Sequence, residues 1–146
     1  VTHHRQVIRA AVAAALAAGA TAAGTRVYQH PWDPRVTLPA LVVEDDGEQQ
    51  QSAAIYSGTR RPIERVLLLT VSAELKQSDD YAQARDELVA DVERILATAA
   101  LPGVKSVVPA GYEPEISGSG DKPIVVGRQR FQITYFTSQD DPSVAL

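Results

Sequence analysis

Near the start of the chain the apolar positions Val7, Ile8, Ala11, Val12, Ala15 and Leu16 recur at steps of one, three and four. That spacing puts them on one helical face, and it predicts a helix from about His3 to Ala18 with Thr2 as N-cap and Gly19 as the stop. Arg26, Val27 and Tyr28 then read as a short strand ended by prolines at 31 and 34, with Trp32, the only tryptophan, as a core plug under the loop. Pro39 opens a second strand, Ala40 to Glu44, whose continuous run of Leu41, Val42 and Val43 suits burial on both faces. From Asp45 to Arg61 the periodicity disappears, and this stretch is expected to be a long mobile loop or a protruding hairpin carried by Ala53 to Tyr56.

The clearest alternation follows. Over Ile63 to Leu75, residues Leu67, Leu69, Val71, Ala73 and Leu75 share one face, while Val66, Leu68, Thr70, Ser72 and Glu74 share the other. Ser78 or Asp79 caps a second helix in which Tyr81, Ala84, Leu88, Val92, Ile95, Leu96 and Ala99 repeat at helical spacing up to Pro102 and Gly103. A strand is predicted from about Lys105 to Ala110, then a loop from Tyr112 to Pro123. The last long strand, Ile124 to Thr137, sets Phe131, Ile133 and Tyr135 against Arg128, Arg130, Gln132 and Thr134. The tail from 137 to 146 is polar and expected to be loose. The order α-β-β-β-α-β-β predicts a single α+β domain over 1–146, a mostly antiparallel sheet of four to five strands with two helices packed on one face.

Composition narrows the function classes. At 146 residues the chain should hide about 70% of its unfolded surface on folding, enough for a core without staples. It contains no cysteine, so disulfide frameworks, thiolate metal sites and cysteine nucleophiles are excluded together. The net charge of -4, with no basic cluster, disfavours a surface that tracks phosphates. The longest apolar run, Ala10 to Ala18, falls far short of the roughly 20 residues that cross a bilayer, so no membrane partner is expected.

Motifs with a mechanical reason behind their spacing are absent: no phosphate-cradling glycine loop ending in Lys-Ser or Lys-Thr, no G-x-S-x-G elbow, and no His pair at i, i+4 beside a glutamate. Gly118 to Asp121 imitates a nucleotide loop but runs into a strand at Pro123 rather than a helix. Glu44, Asp45, Asp46 and Glu48 cluster around Gly47, yet they do not follow the alternating ligand positions of an EF-hand and read as a solvated turn. His3 and His4 are adjacent and would point about 100° apart on a helix. No catalytic, cofactor-binding or metal-binding residues are assigned, and the chain reads as a non-enzyme.

The order of the pieces resembles the tail-terminator, or tail-completion, proteins of long-tailed phages. The resemblance is carried by the helix from His4 through Ile8, the segments Gly24 to Tyr28 and Leu38 to Glu44, and the polar stretch after them. It continues through Arg65 to Val71, the acid-capped helix Asp79 to Ala99, and Arg130 to Tyr135. It implies a virion tail protein, assembled in the bacterial host cytoplasm, whose copies form a homo-oligomeric ring, usually a hexamer, on the last ring of the tail-tube protein. Such a ring stops tube growth and offers a face to a head-side connector or stopper protein, with DNA only passing through its lumen and no cofactor. Copies joined head to tail close into a ring only if the rotation per copy fits their number. The complementary charges expected at the subunit or tube interface are Asp45, Asp46 and Glu48 on one side and Arg60, Arg61, Arg128 and Arg130 on the other. Two alternatives are another head-tail connector or stopper, and a small-molecule-binding α+β module with Trp32, Tyr28 and Tyr112 as its pocket wall.

Overall fold

The computed structural model describes residues 2–30, 37–53, 61–117 and 123–146. Trp32 and Arg60 therefore lie outside the described residues. Seven elements follow in order: α1 (His4–Ala18), β1 (Val27–Tyr28), β2 (Ala40–Ser52), β3 (Pro62–Lys76), α2 (Tyr81–Thr98), β4 (Val104–Ser117) and β5 (Ile124–Ser138). They build one five-stranded sheet in the order β1-β2-β3-β5-β4. β1 runs parallel to β2, while β2–β3, β3–β5 and β5–β4 pair antiparallel. The α+β class and the element order are those the periodicity predicts.

Both helices lie on the same face of the sheet. Ile8, Val12 and Leu16 of α1 and Leu88, Val92 and Leu96 of α2 join one core with Leu41, Val43, Leu67, Leu69, Val71, Ala73, Leu75, Phe131, Ile133 and Tyr135. These are the helical positions of period 3.6 and the strand positions of period 2 that the hydrophobic pattern marked, because burying a single face of each element satisfies both periods at once. Ile8, Val12, Leu67, Leu69 and Ile133 have essentially no exposure. Each such side chain contributes on the order of 1.5–3 kcal/mol relative to leaving it in water, which makes this layer the main source of stability.

The capping expectations shift by a residue or two. His3, not Thr2, caps α1, its Nδ1 accepting from the Arg5 backbone N–H at 3.1 Å. α2 starts after Asp80, which makes no side-chain cap bond; its Oδ1 accepts instead from Ser78 Oγ at 2.8 Å.

Three larger departures matter for the site. Of the stretch 45–61, expected as a mobile loop or a protruding hairpin, Asp45 to Ser52 continue β2 and pair with β3 as far as Ser52 opposite Ile63, while residues 54–60 lie outside the described residues. The loop expected over Tyr112 to Pro123 gives way to β4, which runs to Ser117 opposite Ile124. In both places backbone pairing along a long, well-formed neighbour overrides the weak local strand preference of glutamine, glycine and proline. The tail is not loose. Thr137 bridges Ala145, the Ser138 N–H donates to the Val144 carbonyl at 3.3 Å, and the Leu146 N–H donates to the Phe136 carbonyl at 2.9 Å. The His4 N–H reaches the Pro142 carbonyl at 3.0 Å, which ties the tail to the start of α1.

Candidate functional site

The acidic end of β2 is where sequence and structure differ most. Asp45 lies opposite Leu69 and Glu48 opposite Leu67, so β2 advances three residues while β3 advances two. The extra residue is a β-bulge, helped by Gly47 at φ +119° and by its N–H donating to Asp45 Oδ1 at 2.9 Å. A bulge inverts the alternation beyond it. Glu48 and Gln50 thereby turn to the helix-bearing face, where unbroken alternation from Val43 would have sent Gln49 and Gln51.

Glu48 consequently becomes the centre of a buried polar network at the hairpin end of the core. Its side chain is 2% exposed. Arg65 Nη1 donates to Oε2 at 2.9 Å, Arg5 Nη1 at 3.0 Å and Gln50 Nε2 at 2.7 Å, while the Tyr135 hydroxyl donates to Oε1. Arg65 Nε also donates to Thr137 Oγ1 at 2.8 Å. Arg5 further pairs with Asp45 at 3.8 Å, and Arg9 with the same carboxylate at 4.0 Å. His4, its ring centroid 5.7 Å from that of Tyr135 and tilted by 44°, places Nε2 2.7 Å from the Pro102 carbonyl, to which it donates. One carboxylate therefore joins α1, β2, β3 and β5.

The titration behaviour follows from this packing. Burial pushes the Tyr135 phenol well above its usual range, and the Glu48 carboxylate that accepts its proton adds to the effect. For Glu48 burial alone would disfavour the charge. Hydrogen bonds from Tyr135, Gln50 and Arg65 and the nearby charge of Arg5 outweigh it and hold the carboxyl below the ordinary glutamate range. Burial, followed by Arg5 and Arg65, lowers His3. Because the fold depresses the Glu48 value, its stabilisation is present above the range of an unfolded glutamate and is lost as pH falls through the depressed value. From about pH 5 downward, urea unfolding at successive pH values should show stability falling more steeply for the parent protein than for Glu48→Gln, in which this group no longer titrates.

The other residues expected at an interface fall in separate places. Asp46 accepts from the Thr70 hydroxyl. Arg61 directly precedes β3, its carbonyl accepting from the Gln139 N–H at 2.8 Å. Arg128 and Arg130 lie on the sheet face away from the helices and pair across to β4, Arg128 with Glu115 and Arg130 with Glu113 at 3.3 Å. Thr70, which donates to Asp46, is also the register partner of Arg130, so Asp46 and Arg130 flank the same residue on the face away from the helices. Glu48 is corrected from a surface charge to an internal one, so exchanging it with an arginine would test folding rather than assembly. The pocket wall expected from Tyr28 and Tyr112 is not formed, since β1 and β4 are the opposite edges of the sheet. Among the described residues no group of three or more His, Asp or Glu converges as metal ligands would, and no helix is long and apolar enough to cross a membrane.

Over this whole arrangement the chain is similar in fold to a protein chain in the structure titled "Virion of native gene transfer agent (GTA) particle". The likeness is one of fold. It covers 89% of this chain and 96% of that chain, with a TM-score of 0.52 and 18% sequence identity. No family model matches the chain, and no curated protein does.

The residues that sequence reasoning missed are Arg5, Arg65 and Tyr135. A signal for two of them was present: Arg65 and Tyr135 share the parity of Leu67 and Ile133 and so belong to the core-facing side of their strands. An arginine in a core parity predicts a buried acid nearby, but which acid depends on the bulge.

Proposed function

We propose that this chain is a structural protein of a tailed, phage-like virion, and that it acts as a tail terminator. In this reading its copies form a ring on the end of the tail tube, stop tube polymerisation and present the surface that joins the head side. The observation that carries the reading is the near full-length likeness of fold to a chain of a gene transfer agent virion. The order of segments that resembles tail terminators points the same way.

The physical character of the molecule suits such a part. Its polar chemistry is spent internally, in a network that fixes the β2–β3 hairpin against α1 rather than opening a cleft. A ring element must present the same surface in every copy, and rigid elements do this better than loops. On the far face of the sheet Arg128 and Arg130, with their partners Glu115 and Glu113, and at the other edge Asp45 and Asp46, remain the charges proposed for contacts with a neighbour or the tube. The net charge of -4 suits a lumen through which DNA slides without being held.

The test is direct. Purified protein incubated with preformed tail tubes should bind one end of each tube and prevent further addition of tube subunits, as seen by negative-stain microscopy and by the length distribution of the tubes. A connector or stopper would leave bare tubes growing, and that result would overturn the terminator assignment.

A further inference from the structure

The excess charge of the chain sits in one place. From Asp79 to Thr98 there are six acids, Asp79, Asp80, Asp86, Glu87, Asp91 and Glu93, against two bases, Arg85 and Arg94, so this stretch carries -4. That equals the formal net charge of the whole chain, and the remaining residues balance. Leu88, Val89, Val92 and Leu96 form the buried side of α2, which leaves the acids of the helix on its outer side and flanks.

Two of these acids border a polar cleft between α2 and β4, about 310 Å3 in volume and lined by Asp86, Val89, Glu93, Tyr112 and Gln129. Asp86, Val89 and Glu93 stand at i, i+3 and i+7 on one flank of the helix. Tyr112 and Gln129 are register partners on β4 and β5 and rise from the sheet. Gln129 is only 5% exposed. Its amide makes a single hydrogen bond, Nε2 donating to the Arg130 carbonyl at 3.1 Å, and its Oε1 accepts from no described group. An amide buried to that degree is normally satisfied, so the open oxygen at the cleft is an independent sign of an occupant. Burial raises the Tyr112 phenol above its usual range, which keeps the group neutral. Arg85 lies beside the cleft with its stem over Gly127, where an added Cβ would be 3.0 Å from Cγ, and its Nε is 4.0 Å from Asp86. Its charge offsets one of the two carboxylates and leaves the site net negative. The lining therefore consists of acceptors: two carboxylates, an amide oxygen and a phenol oxygen. The side chains that only donate are those of lysine and arginine.

We infer that this cleft takes a lysine or arginine side chain presented by a different protein. The excess charge of α2 draws a basic surface in, and the converging acceptors fix one of its side chains in place. A second copy of the chain is a poor source for that side chain. Among the described residues only Lys76 and Lys105 have side chains with neither an ion pair nor a hydrogen bond, and they are single charges on β3 and β4. The other described bases are engaged, as Arg5 and Arg65 are with Glu48 and Arg128 and Arg130 with Glu115 and Glu113. The inference rests on the virion reading only for where the partner is met, as a neighbouring part of the particle with a basic surface. The chemistry of the cleft is tested without that partner.

The experiment uses the full chain, labelled with nitrogen-15 and titrated with the blocked peptides acetyl-Gly-Arg-Gly-amide and acetyl-Gly-Lys-Gly-amide. Saturable shifts are expected at the Gln129 side-chain amide and at the Val89 and Tyr112 backbone amides, and none with acetyl-Gly-Glu-Gly-amide. Asp86→Asn combined with Glu93→Gln should weaken binding about tenfold or more, and so should Gln129→Leu by itself. Asp79→Asn combined with Glu87→Gln removes the same charge away from the cleft and should weaken it by less than about twofold, because exposed charges at a distance are screened. Both double variants should keep a thermal midpoint near that of the parent. Shifts that do not saturate with either basic peptide, equal shifts with the acidic one, or equal losses in the two double variants would each overturn the inference. Self-association of the parent that Asp86→Asn with Glu93→Gln abolishes would make the occupant a second copy and overturn it as well. A chain that caps tubes but binds neither basic peptide overturns this inference alone. One that binds them and leaves tubes growing overturns only the terminator assignment.

Discussion

Glu48→Ala is expected to lower folding stability by about 3–5 kcal/mol, the usual result of removing one member of a buried ion pair. The magnitude comes from what stays behind. Arg65, whose side chain is 10% exposed, would keep its charge with only the Thr137 hydroxyl as a described partner, and the Tyr135 hydroxyl would be buried without an acceptor. Arg5, at 30% side-chain exposure, can turn towards water and loses less. For a chain of this length the change corresponds to a fall of roughly 10 °C or more in thermal midpoint, measurable by calorimetry. Asp91→Ala provides the contrast: its partner Arg94 is 73% exposed at 3.0 Å, and loss of such a pair should change stability by less than about 0.5 kcal/mol. A double-mutant cycle between Glu48 and Arg65 should give a coupling above about 1 kcal/mol. If Glu48→Ala and Asp91→Ala shift the midpoint equally, the network does not hold the hairpin to α1.

Gly103→Ala is expected to be the second most damaging small change, at about 2–4 kcal/mol. Gly103 has φ +68°, a left-handed conformation that costs a residue with a Cβ roughly 1–2 kcal/mol. The added Cβ would also lie 2.5 Å from Ala145 Cβ and 2.8 Å from His4 Nε2, inside contact distance of both. Neither neighbour is a flexible end that can step aside: His4 is held at the Pro102 carbonyl and against the Tyr135 ring, and Ala145 is bridged to Thr137. The tail should therefore be released before the core is lost. Hydrogen exchange should show the Ser138 and Leu146 amides losing protection while amides in the middle of β3 keep theirs. Unchanged protection at the tail would mean that the fold accommodates the Cβ elsewhere. Gly19→Ala is the milder comparison, because its backbone is not in the left-handed region and the two close contacts of its Cβ, at 2.3 and 2.9 Å, are both to the Ile95 side chain, with the Ala15 carbonyl at 3.3 Å.

These two positions illustrate what could and could not be read beforehand. Gly103 was legible as a helix stop after α2, since Pro-Gly ends a helix by a local rule. Its meeting with His4 and Ala145 was not, because those residues are about a hundred and about forty positions away along the chain. The sequence shows Glu48 as one of an acidic cluster, and such clusters usually lie at the surface. It lies inside because one extra residue between Asp45 and Glu48 inverts the side on which every later β2 residue falls, and its charge is tolerated there because Arg5 and Arg65 arrive from α1 and β3.

By itself the sequence determined the two helices, the long strands at Ile63 to Leu75 and Ile124 to Thr137, and the face each turns to the core. Those features depend on periodicity within a dozen or so residues. The tertiary structure alone decided how far β2 and β4 extend, where the bulges fall, which carboxylate is buried and where the tail docks. Each of these is a pairing between distant segments whose local preferences are weak, so the energy that selects them appears only when the partner strand or helix is in place.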